Sequence, residues 1–216
     1  MCLVSVLFLW LITTLFSPHS GIAKSALVLS EKFGSSDDKP QICINYYLGA
    51  GHLEPHHLNA SQLRKGFSAG LSSGGANTAF FCATQAILFS IISAEKDLTS
   101  LLKEIDYYLL FLETYKNELG KKFILCYRET VATLIDKGEA TGIDAKLSYR
   151  DVEACDLGQG NKLHEAFYFQ QMFRNYWLGY TDRCRHYIQK YSSIVNKGHI
   201  FTFNIKFYYG KKVQAL

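Results

Sequence analysis

Residues 97–138 constrain the fold more than any other segment, because two helical apolar patterns follow each other there directly. Apolar side chains of the first pattern share one stripe: Leu98, Leu101, Leu102, Ile105, Tyr108, Leu112, Tyr115 and Leu119. Gly120 is predicted to end this helix, since glycine enters the left-handed conformation without steric cost. The stripe resumes through a second helix, which Gly138 is predicted to end: Phe123, Tyr127, Val131, Leu134 and Ile135.

A helix pair of this kind cannot bury both apolar faces alone, so it requires helical neighbours. The composition agrees, because a hydrophobic fraction of 48% with 19% charged residues is typical of an ordered, well-buried protein. The 3 prolines leave room for long helices. These features predict an all-α array with a binding or scaffolding role, without a catalytic pocket.

The charge pattern disfavours nucleic acid as a partner. The formal net charge is +4, and the basic residues are scattered, with pairs such as Lys121 with Lys122 and Lys211 with Lys212. A nucleic-acid-binding domain usually concentrates its basic residues on one face. A protein partner is therefore predicted, with no nucleic acid and no small-molecule substrate.

The cysteines favour reduced, buried thiols over a disulfide framework. Six of them stand far apart, with no C-x-x-C pair: Cys2, Cys43, Cys82, Cys126, Cys155 and Cys184. Cys82, Cys126 and Cys184 lie among apolar residues in predicted helices, where a reduced cysteine acts as a small hydrophobic side chain.

The N-terminus leaves two interpretations open. Residues 3–16 form an uncharged apolar run that is short for a membrane span and fits the core of a signal peptide, but no Lys or Arg precedes Lys24. A buried helix at the edge of a truncated array has the same pattern. Residues 1–21 are thus an apolar N-terminal segment and 22–216 a helical region. The expected location is cytoplasmic, or secreted if 3–16 is a signal peptide, and membrane association is disfavoured.

Further helices are predicted along the chain. Small residues (Ala79, Ala83 and Ala86) suit one of them for close helix contact. The predicted helices cover 22–33, 58–71, 78–94, 163–191 and 199–209, with a glycine break at 72–75 and a loop at 139–161.

The segment NYWLGYTDRCRHYIQKY resembles the junction of a tetratricopeptide-like repeat. In that resemblance Gly179 supplies the tight turn, Cys184 the small residue at the helix crossing, and Tyr187 the aromatic residue. Tyr191 stands where alanine is commoner, which is a departure from the pattern.

A wider stretch is similar to the helical-repeat region of large STAND-type signalling ATPases of microbial eukaryotes. The motifs are LRKGFSAGLSSGGANTAFF, LTSLLKEIDYYLLFLETYKNE, CYRETVATLIDKGEAT and, near the C-terminus, FNIKFYYG. The resemblance implies antiparallel helix pairs stacked as a tetratricopeptide-like solenoid, with a role in protein–protein interaction or intramolecular signal transmission. The chain carries no P-loop motif and no kinase or cyclase motif, so it corresponds to the repeat part alone.

Several residue combinations invite a site hypothesis, and each has a plainer interpretation. His52, His56 and His57 lack an acidic or cysteine partner that would complete a metal shell. His186 fits a solvated helix face, and nothing in the sequence orients Cys155 and His164 as a nucleophile and base. The remaining candidates are two pairs of carboxylates and the glycines of LGQGNK. One pair is Glu104 with Asp106, and the other is Glu153 with Asp156.

Two last patterns depend on context. Asn59, Ala60 and Ser61 form a glycosylation sequon that matters only in a secreted protein. An aromatic cluster fits either a peptide groove or, preferably, a core between stacked helices: Phe167, Tyr168, Phe169, Phe173, Tyr176 and Trp177. No residue is predicted to be catalytic or to bind a cofactor or metal.

Overall fold

The computed structural model describes residues 25, 27–29, 32, 38–49, 54–136 and 160–194 of the chain. Every regular element in these ranges is an α-helix, which confirms the predicted all-α class. The chain divides into two compact units, Met1–Glu95 and Lys96–Leu216.

The first unit contains α1 (Lys39–Gly49), α2 (His56–Ser72) and α3 (Ala76–Ser93). A three-residue turn joins α2 to α3, as the predicted glycine break requires, and α1 packs against both helices. α2 extends the predicted 58–71 by one or two residues at each end, whereas α3 begins two residues before the predicted 78–94 and ends one residue earlier. Of the helix predicted at 22–33, residues 25, 27–29 and 32 are described, and all five are helical.

Small residues bring α2 and α3 into close contact, as the sequence predicted. A Cβ atom on Gly70 would lie 2.8 Å from the Ala79 Cβ and 3.1 Å from the Ala79 Cα. A Cβ atom on Gly66 would lie 2.9 Å from the Cys82 Sγ and 3.2 Å from the Cys43 Cβ. Glycine is required at both positions because any side chain would push the helices apart.

The middle of α3 is buried on every side. All ten residues from 82 to 91 are buried, including the polar Thr84, Gln85 and Ser90. Arg64 of α2 donates a 2.7 Å hydrogen bond to the Ser90 Oγ and forms a 2.6 Å ion pair with Glu95. This link ties the end of α3 to α2, and it gives the buried Ser90 hydroxyl a charged partner.

The second unit contains α4 (Leu98–Thr114), α5 (Glu118–Ile135), α6 (Gly160–Trp177) and α7 (Thr181–Ile194). α5 packs against α4 and α6, and α6 packs against α7. All residues of α6 from 165 to 173 are buried, so this helix plays the same central part as α3 does in the first unit.

The turn between α4 and α5 corrects the prediction that Gly120 ends the first helix. α4 already ends at Thr114, and Lys116 takes the left-handed conformation with φ 54°. The Gly120 N–H donates a 2.9 Å hydrogen bond to the Asn117 Oδ1, so Gly120 lies in the first turn of α5 behind an asparagine N-cap. A Cβ atom on Gly120 would lie 2.7 Å from the Leu112 Cδ2. The close approach of the Leu112 side chain therefore explains why this position is a glycine.

The predicted stripe holds within α4 and fails at its end. Leu101, Ile105 and Leu112 are buried, and so is Tyr108. Tyr115 is 50% exposed and Leu119 is 40% exposed, because the helix ends before them and the chain turns away. The proposed end of the second helix at Gly138 lies outside the described residues.

The second stripe forms the inner face of α5 in its central part. Tyr127 and Val131 are fully buried there, whereas Ile135 is exposed at the end of the helix. The segments predicted as a loop (139–161, apart from its last residues) and as a helix (199–209) lie outside the described part of the chain.

Ion pairs join the helices of the second unit at the edges of their contacts. Arg128 pairs with Asp106 at 2.6 Å, and Lys121 pairs with Glu113 at 2.8 Å, which links α5 to α4. Arg174 of α6 pairs with Glu129 of α5 at 2.6 Å. Exposed ion pairs contribute little to stability, so these pairs orient the helices while apolar burial supplies most of the stability.

The Gly70 contact generates a stability prediction. Gly70→Ala is expected to lower the free energy of unfolding by about 1–3 kcal/mol, because the new methyl group overlaps Ala79. Ser68→Ala, an exposed position on the same helix, is the matched control and should be neutral or slightly stabilising. Urea denaturation measures both variants, and a Gly70→Ala variant as stable as the control would contradict the close contact.

Candidate functional site

The side of α4 that faces away from α5 carries the largest exposed apolar side chains of that helix. Leu110 is 62% exposed and Tyr107 is 51% exposed, and Phe111 beside them is half-buried. Positions 107, 110 and 111 lie together on a helix surface, opposite the buried Leu101, Ile105 and Leu112. We refer to Tyr107, Leu110 and Phe111 as the outer face of α4.

Contacts between rings order the outer face of α4. The ring centroids of Tyr107 and Phe111 lie 4.8 Å apart, and those of Tyr107 and Tyr108 lie 5.7 Å apart. The Tyr108 hydroxyl donates a 3.0 Å hydrogen bond to Glu104, which fixes the buried end of this set. Aromatic side chains held in this way lose little conformational entropy when a partner covers them.

The start of α4 is fixed by its own sequence. The Asp97 carboxylate accepts a 2.8 Å hydrogen bond from the Ser100 N–H and caps the helix. Hydrogen bonds from Ser100 hold the pKa of Asp97 below its usual value. Lys96 pairs with Glu104 at 2.8 Å one turn further on, so the outer face belongs to a helix that is well anchored at its N-terminus.

The α6–α7 hairpin contains the junction that resembles a tetratricopeptide-like repeat. Gly179 has φ 75° in the turn, and Cys184 is 1% exposed with its Sγ 3.6 Å from the Met172 carbonyl oxygen. The Tyr187 ring lies 6.4 Å from Tyr168. Gly179 thus lies in the turn, and Cys184 lies in the contact between α6 and α7. Tyr191, which departs from the repeat pattern, is buried with its ring centroid 6.4 Å from that of Phe169.

The aromatic cluster of α6 is mainly core, as preferred from the sequence. Four of its members are buried: Phe167, Tyr168, Phe169 and Phe173. Tyr176 is half-buried, and Trp177 is 63% exposed at the end of the helix. Trp177 is thus the member of the cluster that a partner can reach.

The histidines singled out from the sequence do not come together. His56 is buried at the start of α2 with its ring 5.2 Å from Phe89, whereas the neighbouring His57 is exposed. His52 lies outside the described residues. His186 is exposed on α7, in agreement with the solvated face predicted for it.

The paired carboxylates also separate in the structure. Glu104 accepts hydrogen bonds from Lys96 and Tyr108, while Asp106 pairs with Arg128. Glu153, Asp156 and Cys155 lie outside the described residues, as does the first half of LGQGNK, whose second glycine begins α6. His164 is half-buried with its ring stacked 6.3 Å from Tyr168.

The glycosylation sequon is incompatible with modification of the folded chain. Asn59 lies within α2 and is 0% exposed. An enzyme that attaches a glycan needs access to this side-chain amide, so the folded α2 blocks the reaction.

Burial makes the thiols and one tyrosine of the core poor nucleophiles. Removal from water raises the pKa of Cys82 and of Cys126 well above the usual thiol value, with smaller contributions from Cys43 and Glu129 respectively. Burial likewise raises the pKa of Tyr127 and of Cys184. The thiolate is the reactive form of cysteine, so these protonated thiols contribute to packing and are poor nucleophiles. All of the cysteines in the described residues are buried and outside any disulfide, as predicted for Cys82, Cys126 and Cys184.

Sequence reasoning missed the outer face of α4 and the polar interior of α6. The run YYLLFL contained a signal for the first, because its apolar residues cover more than one side of a helix. Glu165, Gln170 and Asn175 of α6 are buried, although polar residues in a helix normally face water. Their burial depends on surrounding segments, which a single-helix pattern does not reveal.

Among the described helices, one meets the length and hydropathy requirements for crossing a membrane. This helix is α3 (Ala76–Ser93), and 67% of it is buried inside the protein. Core helices of soluble proteins meet the same requirements. Length and hydropathy therefore do not decide whether α3 is a membrane-spanning helix or a core helix.

Comparisons with known proteins identify no relative. No family model matches the chain, and neither the curated proteins nor the solved structures contain a match.

The raised thiol pKa values predict slow labelling of the native protein. Cys126 should react with an alkylating reagent only after unfolding, because its thiol is buried and protonated at neutral pH. Peptide mapping by mass spectrometry after brief labelling in buffer and in denaturant measures this difference. Equal labelling of Cys126 under the two conditions would show that the α5 core is open.

Proposed function

We propose that this chain is a non-catalytic helical scaffold that mediates protein–protein interaction or intramolecular signal transmission. In this proposal it belongs to, or derives from, the repeat region of a large signalling ATPase in the cytoplasm. Its partner is another protein or another module of a larger signalling protein.

The outer face of α4 is the observation that carries the proposal. Tyr107 and Leu110 are each more than half exposed, and they stand beside Phe111 on a helix whose other side is packed. Contiguous exposed apolar residues mark interaction surfaces, and aromatic residues contribute strongly to binding when a partner covers them. The proposed occupant is the apolar side of a helix from the partner.

Stacked helix pairs are the proposed architecture behind this surface. Three hairpins (α2–α3, α4–α5 and α6–α7) each have a connection of three residues, which supports a repeated unit. The contact of α5 with α6 stacks the last two hairpins on each other. In a tetratricopeptide-like solenoid, such stacking produces an extended surface for a partner.

The chemistry of the core supports a role without catalysis. Catalytic nucleophiles need a lowered pKa or an adjacent base, whereas burial raises the pKa of Cys82, Cys126 and Tyr127. Within the described residues, no group of three or more His, Cys, Asp or Glu side chains is placed to hold a metal ion.

Photo-crosslinking tests the proposed surface in cells that make the protein. A photoreactive amino acid at Leu110 is expected to form an adduct with one protein partner, mapped by mass spectrometry to an apolar helical segment. The matched control is the same amino acid at Thr99, an exposed polar position of α4.

Tyr107→Ser in the crosslinking chain should remove the adduct at position 110, because it deletes the neighbouring aromatic side chain. Equal adducts from positions 99 and 110, or none from position 110, would contradict the proposal.

A further inference from the structure

A second exposed surface lies on α7, on the turn before it and on the last residue of α6, and we infer that it binds an acidic amphipathic helix of a protein partner. The surface consists of Trp177, Tyr180, Arg183, His186 and Lys190, all of them exposed. We refer to these five residues as the basic face. The inference rests on the proposed scaffold function but uses a surface other than the outer face of α4.

Helical spacing aligns the charged residues of the basic face. Arg183, His186 and Lys190 follow each other at intervals of three and four, so they share one side of α7. Arg183 and Lys190 are seven residues apart, which is about 10 Å along the axis. Tyr180 immediately precedes the helix and extends this row by one more turn.

The two strong cations of this row have no carboxylate partner in the described part of the chain. Other basic residues of the second unit, such as Arg128 and Arg174, are engaged in ion pairs. The Arg183 guanidinium instead lies 5.4 Å from the centroid of the Tyr180 ring, a cation–π contact that leaves its charge unneutralised. Asp182 is the acidic neighbour, and it pairs with Arg185 at 2.9 Å.

Trp177 supplies an apolar anchor beside the cations. It is 63% exposed, and its ring is supported by Tyr176 at 5.8 Å and by Phe173 at 6.1 Å. Tryptophan and arginine are the residue types most enriched among those that dominate binding energy. A partner that covers this ring gains apolar contact close to the cationic row.

The partner that fits has acidic side chains two helical turns apart and an apolar side chain one turn beyond them. Its carboxylates would meet Arg183 and Lys190, and its apolar residue would cover Trp177. An anionic membrane fits less well, because α7 turns Cys184 and Tyr191 into the core and keeps no apolar face to insert. Charge complementarity and the single aromatic anchor therefore favour a protein helix.

Tryptophan fluorescence offers a direct binding assay on the full chain. The sequence contains two tryptophans, Trp10 and Trp177, so Trp10→Phe leaves Trp177 as the only fluorophore. The probe is an alanine-based helical peptide of about 18 residues, with two glutamates seven residues apart and a leucine one turn before the first. A peptide with glutamine in place of both glutamates is the uncharged control, and phosphatidylserine vesicles test the membrane alternative.

The glutamate peptide is expected to change the Trp177 emission and to bind at least about tenfold more tightly than the glutamine peptide at low salt. Arg183→Glu combined with Lys190→Glu should raise the Kd of the glutamate peptide by about tenfold or more. Lys65→Glu combined with Lys103→Glu changes the net charge equally at exposed positions elsewhere, and it should leave the Kd unchanged.

Equal binding of the two peptides, an equal effect of the two double variants, or a response to vesicles alone would overturn the inference. Far-UV spectra of both double variants verify that they fold. An adduct at Leu110 without peptide binding at the basic face would leave the scaffold function in place and remove this inference alone. Peptide binding without an adduct at Leu110 would count against the outer face of α4 and keep the basic face.

Discussion

Burial of the middle of one helix in each unit, 82–91 in α3 and 165–173 in α6, is the constraint on which the rest of the structure depends. A helix that is buried on every side needs neighbours all round it and a partner for most of the polar groups that it carries inside. In α3 the glycines of α2 permit the close approach, and Arg64 reaches the buried Ser90. In α6 the Asn175 side chain donates a 2.7 Å hydrogen bond to the Gln171 carbonyl oxygen within the same helix.

The helices that flank α5 and α6 present different chemistry to a partner. α4 uses one side to pack on α5 and exposes Tyr107 and Leu110 on the other. α7 packs on α6 through Cys184 and Tyr191, and it exposes a cationic row. An apolar surface favours affinity, while a charged one favours specificity and fast association. Through these two surfaces, the outer helices of the second unit would contact partners in the proposed scaffold.

Local sequence signals predicted much of the fold. The helical class and the small residues of α3 followed from composition and spacing, whereas the turn at Gly179 was implied by the resemblance to a repeat junction. The end of α4 did not, because an asparagine cap at Asn117 and a left-handed Lys116 compete with the more obvious Gly120. The outer face of α4 was missed since an apolar run on several sides of a helix does not indicate which side packs. For Glu165, burial depends on segments distant in sequence.

Native-state hydrogen exchange tests the central claim, that the buried middle of one helix organises each unit. Backbone amides exchange most slowly where opening requires the cooperative loss of the core. The amides of residues 82–91 and 165–173 are expected to be the slowest in their respective units, and those of α4 and α7 should exchange faster. Protection of α7 equal to that of α6, or of α1 equal to that of α3, would contradict this account of how the protein is built.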